Sequence, residues 1–219
     1  MTGIQSDTLL FRWPFLKHVA LICLFFGFTY LLLTRYLLVF LYSVSTHGTN
    51  KDPSFISIHD ALHLSAGEYG ILSGPAFMTG YAVMNSFSGW VGDHWNRKYI
   101  IVISILFSAG STALMYFVYH FWQLFILRFS LAVSQAFFAP LSISILSFYY
   151  SKKYRVTANA IFTSGVYSGY GLATISLMIL PVIGWRALSL YIGIIGGILS
   201  ILLIIFIREP NRIVQEEST

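Results

Sequence analysis

Between residues 18 and 207 the chain is a succession of apolar runs joined by short charged connectors. Each run is about as long as the ~20 residues an α-helix needs to cross a bilayer. Of the 219 residues, 57% are apolar and 10% are charged, against roughly 45–50% and 25% in a soluble domain. Such a chain has too little polar surface to cover a water-soluble globule, so it reads as an integral membrane protein. The runs are continuous and do not alternate in polarity, as ~10-residue barrel strands would. The fold class is therefore all-α.

The sequence predicts six spans, over residues 18–43, 69–91, 99–119, 121–149, 157–183 and 187–207. They form one transmembrane bundle (18–207) between an N-terminal tail (1–17) and a polar C-terminal tail (208–219). No stretch resembles a cleaved signal peptide, because the first apolar run is too long and no small-residue cleavage site follows. Little length is left for a soluble catalytic domain. The one cysteine, Cys23, lies inside an apolar run, which excludes disulfides and cysteine metal sites. In the connector 46–68, residues 60–65 suit a short interfacial helix. His59 and His63 there are four apart, but a zinc site needs further ligands and none is evident.

Nine Lys and Arg residues fall on one side of this topology: Arg12, Lys17, Arg97, Lys98, Lys152, Lys153, Arg155, Arg208 and Arg212. Only Lys51 and Arg186 fall on the other. The bias puts both termini in the cytoplasm or its equivalent, such as the mitochondrial matrix. The net charge of +5 is thus an orientation signal, and no nucleic-acid patch is expected.

The connector after the second run reads Gly89-Trp90-Val91-Gly92-Asp93-His94-Trp95-Asn96-Arg97-Lys98. Gly89 and Gly92 suit close helix approach. Asp93 suits a capping and ion-pairing role, and Arg97 and Lys98 suit an anionic leaflet. This loop resembles the signature loop of the major facilitator superfamily. Gln135-Ala136-Phe137-Phe138-Ala139-Pro140, Ser164 to Gly171, Gly184-Trp185-Arg186 and Arg208-Glu209-Pro210 are similar to its spinster-like branch. The resemblance implies a fold of two six-span halves with substrate between them, of which this chain looks like the first. A second six-helix half, a homodimer partner or other membrane subunits would then act with it in the lipid bilayer.

Two charges lie within spans, Arg35 and Arg128. An Arg there costs at least ~2.5–3.5 kcal/mol and normally faces protein or a water-filled cavity. The resemblance implies that both line a central cavity. Gln135 shares a helix face with Arg128, and Tyr42 shares one with Arg35. Thr163, Tyr167, Tyr170 and Thr174 form a polar stripe at helical spacing. Two readings stay open: a site for an anionic or amphipathic substrate, or arginines hydrogen-bonded between helices to backbone carbonyls and hydroxyls.

None of the eight acids lies in the middle of a span. Proton-coupled members of the family commonly carry an Asp before the first-span Arg and a Glu in the fourth span. The matching positions here are Thr34 and Gln135, neither of which titrates. The resemblance thus implies transport that is not proton-driven. Gly70 and Gly74, and Gly165 and Gly169, form small-residue faces. They serve either contact with a second half or packing within this one. No nucleophile elbow, phosphate loop or metal cluster occurs, so neither enzymatic activity nor a cofactor is expected. A transport-inactive structural subunit, for instance of a mitochondrial respiratory-chain assembly, and an incomplete gene product are the competing readings. Substrate and membrane are not legible.

Overall fold

The computed structural model describes residues 14–43 and 58–207. The described residues are helical and contain no strand. Helix α1 spans Pro14–Ser43, α2 Ile58–Leu62, α3 Ala66–Ser73 and α4 Pro75–His94. Helix α5 spans Arg97–Leu114 and runs into a 3-10 turn, Met115–Phe117. Helix α6 spans Phe121–Tyr149 and α7 Lys152–Phe206.

Local chemistry sets these boundaries. Helix α2 ends at His63, whose φ of 48° is left-handed, so the short helix lies a little earlier than 60–65. The side chains of His59 and Asp60 fall outside the described residues. Ser65 caps α3 through a capping box with Glu68, satisfying two of the free first-turn N–H groups. Asn96 caps α5, accepting from Lys98 N and Tyr99 N at 3.1 and 3.4 Å.

Two predicted spans differ from single clean helices. The second is broken between α3 and α4, where Gly74 leaves helical geometry and Pro75 brings no N–H donor. The fifth and sixth merge into α7, whose 55 residues would reach about 80 Å if straight, far beyond a hydrocarbon core of ~30 Å. The element breaks at Gly184, with φ 75° and ψ 159°, a backbone only glycine adopts cheaply.

Four of these helices are long and apolar enough to cross a membrane: Leu16–Leu41, Arg97–Phe117, Phe121–Tyr149 and Lys152–Phe206. Helix α4 is less apolar, carrying Thr79, Asn85, Ser86 and Ser88. Length and composition alone therefore give four, against the six predicted.

Helix α1 packs most extensively on α7, α7 also on α5, and α6 on both α4 and α5. Gly165 and Gly169 face α1: a Cβ at Gly169 would lie 2.6 Å from Thr29 O and from Leu32 Cβ. That face is used inside the bundle, while Gly70 has nothing within 4 Å. Phe28, Phe138 and Phe162 stack at the centre, Phe28 and Phe162 with centroids 4.6 Å apart. The outer surface of α5 and of residues 185–206 exposes Ile103, Leu106, Phe107, Ile194, Ile198 and Ile201. Only a lipid environment makes so broad an apolar exterior stable. The protein is an integral, multi-pass membrane protein.

Candidate functional site

A pocket of about 150 Å³ lies between α1, α4, α6 and the first part of α7. Half its lining is apolar: Phe28, Leu31, Leu32 and Val166. The other half is polar: Arg35, Tyr36, Tyr81 and Gln135.

Helix α1 brings Arg35 to this pocket one residue after the buried Thr34. Its guanidinium carbon stands 4.5 Å from the centre of the Phe77 ring and 5.1 Å from that of Tyr81. Its Nη2 donates to Met78 Sδ at 3.7 Å, and no carboxylate pairs with it among the described residues. Cation–π contacts steady such a group without neutralising it.

Arg128 has a different setting. It is only 4% exposed and does not line the pocket. Its Nε donates to Leu72 O at 3.3 Å and its Nη2 to Arg35 O at 2.9 Å. Its guanidinium also lies 4.9 Å from the Phe77 centroid. Of the two readings left open by the sequence, Arg128 adopts the one of an arginine bonded to backbone carbonyls. Arg35 keeps its charged head in the pocket.

Gln135, on the pocket face of α6, donates from Nε2 to Leu31 O at 2.9 Å and to Thr34 Oγ1 at 3.2 Å. Thr34 Oγ1 in turn donates to Leu31 O at 2.9 Å. The two positions of interest for protons are thus in contact, and both are neutral.

The predicted stripe on the fifth span does not line this pocket. Tyr167 is 80% exposed, and Thr163 is exposed as well. Gly165 and Gly169 fix the face turned to α1, which puts residue 167 on the far side and Val166 beside the pocket. Tyr170 leans out over Tyr36, with centroids 5.2 Å apart. The Tyr42 side chain lies outside the described residues. Phe77 and Tyr81 were missed by the sequence reading, although their spacing of four marks one face of a helix.

The signature loop is structural in geometry. A Cβ at Gly92 would meet Leu141 of α6 at 2.5 Å, whereas Gly89 has nothing within 4 Å. Asp93 sits in the last turn of α4, and its side chain is 75% exposed. Its Oδ1 lies 3.8 Å from Nη2 of Arg97. The capping of the next helix falls to Asn96. Arg97 is buried, donates from Nε to Gly92 O at 3.2 Å and lies over Phe148. A cation at the C-terminal end of α4 complements that helix's dipole. The Lys98 backbone amide takes part in the Asn96 cap.

A family profile described as Major Facilitator Superfamily matches residues 24–219. The cis,cis-muconate transport protein of Acinetobacter baylyi is 33% identical over 160 residues, covering 72% of this chain and 38% of that protein. The probable galactarate/D-glucarate transporter GarP of Escherichia coli is 31% identical over 196 residues, covering 81% and 43%. Protein spinster homolog 1 of Xenopus laevis is 29% identical over 168 residues, covering 74% and 30%. The chain thus spans less than half the length of these relatives. The crystal structure of a bacterial homologue of the human lysosomal transporter spinster, inward-facing and unoccupied, superposes with a TM-score of 0.71 at 23% identity. That superposition covers 90% of this chain and 44% of the other.

Proposed function

The chain belongs to the major facilitator superfamily, in its spinster-like branch, and on that premise we propose that it carries an organic anion across a membrane, with Arg35 as the group that meets the anion's charge. The observation that carries this reading is the Arg35 guanidinium. It stands in the pocket on two aromatic rings with no carboxylate partner among the described residues. The apolar half of the pocket suits a hydrocarbon portion of the same solute. Two relatives are named for muconate and for galactarate or D-glucarate, which are organic anions.

Six spans fit this reading. The fifth and sixth are the parts of α7 on either side of Gly184, and the second is α3 with α4. Both termini then share the cytoplasmic or matrix side. A second six-helix unit, supplied by further chain, by another subunit or by a second copy, closes the pocket. The surfaces of α4 and of residues 152–183 support this, because they expose Thr79, Asn85, Ser86, Thr163, Ser164 and Tyr167. Residues 185–206 instead expose mostly isoleucine and leucine. Thr34 and Gln135 support a cycle that does not move protons through this unit. No observation favours a transport-inactive subunit or a mitochondrial membrane.

The test is uptake of labelled cis,cis-muconate and D-glucarate into vesicles containing the purified protein, with Arg35→Gln beside the wild type. Uptake that Arg35→Gln slows about tenfold or more supports the reading. Uptake indifferent to Arg35, or none of either anion, overturns it.

A further inference from the structure

Arg35 and Arg128 share one aromatic ring yet have different surroundings, and the difference assigns them different work. Resting on the anion reading above, we infer that Arg128 is a positioning residue that acts on the ligand through Arg35 and does not touch the ligand itself. Arg128 is nearly sealed from the pocket, and its donors go to backbone carbonyls of two separate elements.

Both carbonyls bear on where the Arg35 head lies. One belongs to Arg35, so Arg128 holds the α1 backbone at the residue whose side chain enters the pocket. The other belongs to Leu72, two residues before the break at Gly74. Pro75 brings no N–H there, and the chain restarts as α4. Helix α4 presents Phe77, which is 1% exposed and is the ring on which the Arg35 guanidinium rests. Arg128 thereby fixes the start of the Arg35 side chain and the platform under its head. A planar guanidinium has several donors in a rigid fork and can span two carbonyls in this way, whereas the compact lysine ammonium cannot keep the same geometry. The wall this chain gives to the pocket thus offers one cation to the ligand.

A double-mutant cycle separates this role from direct contact. Binding of cis,cis-muconate and of D-glucarate to the purified full chain in mild detergent is measured for wild type, Arg35→Gln, Arg128→Lys and the double variant. Arg128→Lys should weaken binding about tenfold, and the loss should vanish in the Arg35→Gln background. Additive losses, or unchanged binding in Arg128→Lys, overturn the inference. Phe77→Leu keeps Arg128, removes the platform and runs the same cycle should Arg128→Lys fail to fold.

A second readout needs no ligand. The rate at which an α-dicarbonyl reagent modifies Arg35, followed by peptide mass spectrometry, should change several-fold in Arg128→Lys or Phe77→Leu. An unchanged rate overturns the inference. A wild type that binds neither anion while the Arg35 rate still responds removes the anion reading and leaves the positioning intact.

Discussion

Gln135 Nε2 donates to Thr34 Oγ1 at 3.2 Å, joining α6 to α1 through two groups that carry no charge at any working pH. Helices that pack at this point through an amide and a hydroxyl lack the group that would load and release a proton. Anion binding to the wild type should therefore be flat between about pH 5.5 and 8, well below the range in which arginine loses its proton. Gln135→Glu should make it pH-dependent. The new carboxyl's anionic form would repel the ligand, so binding to the variant should weaken as rising pH ionises it. A titration of affinity against pH for the two proteins checks this, and a sloping wild-type profile sinks it.

Asp93 should matter little to stability on its own. Its pair with Arg97 is long and its carboxylate is largely in solvent, and exposed pairs contribute about 0–1 kcal/mol. Asp93→Asn should stay within that range in thermal unfolding in detergent. Arg97→Gln should cost more, about 1–3 kcal/mol, because it strips a buried donor from Gly92 O. The reverse order of effects would contradict the geometry.

Gly169→Ala should destabilise by about 1–3 kcal/mol through overpacking. The new methyl would press on the backbone of α1 at Thr29. Gly171→Ala has open space at its Cβ and serves as the matched control in the same unfolding assay. Equal effects at the two positions would mean that α1 and α7 do not meet along this seam.

The start of α3 should respond to acid. Glu68 accepts from Ser65 N and Ser65 Oγ, both at 2.8 Å, and these bonds hold its carboxyl below the ordinary value. A lowered carboxyl adds stability that is fully present above the ordinary value and is lost as pH falls through the lowered one. Amide protection at the first turn of α3, measured against the unstructured exchange rate at each pH, should fall on acidification in the wild type. In Glu68→Ala it should be low already at neutral pH, and no difference between the two would remove the capping box from the account.

The helical class, the membrane setting and the family were legible because apolar run length and the connector 89–98 depend on local sequence alone. The two intramembrane arginines were legible for the same reason. Their division of labour was not, since it turns on carbonyls of Leu72 and Arg35 that approach Arg128 from distant parts of the chain. That Thr163 and Tyr167 are exposed and do not line the pocket beside Arg35 was not legible, because helical spacing gives a shared face without saying which way it turns. Gly165 and Gly169 decide that by letting α1 in. The cap of α5 at Asn96, three residues after Asp93, was not legible, since it depends on where the chain leaves α4.

The bend at Gly184 also governs the order in which the protein can be built. The two parts of α7 on either side of it pack on helices made much earlier, Gly169 against α1 and Gly193 against Ala113 of α5. Residues 152–206 leave the ribosome after α1 to α6, yet they cover the seam of α1. Until then α1 sits in the membrane with Thr29 and Leu32 bare. The first part of α7 covers them, and the part beyond the bend at Gly184 then closes on α5, so this bundle is completed by its last element and not helix by helix.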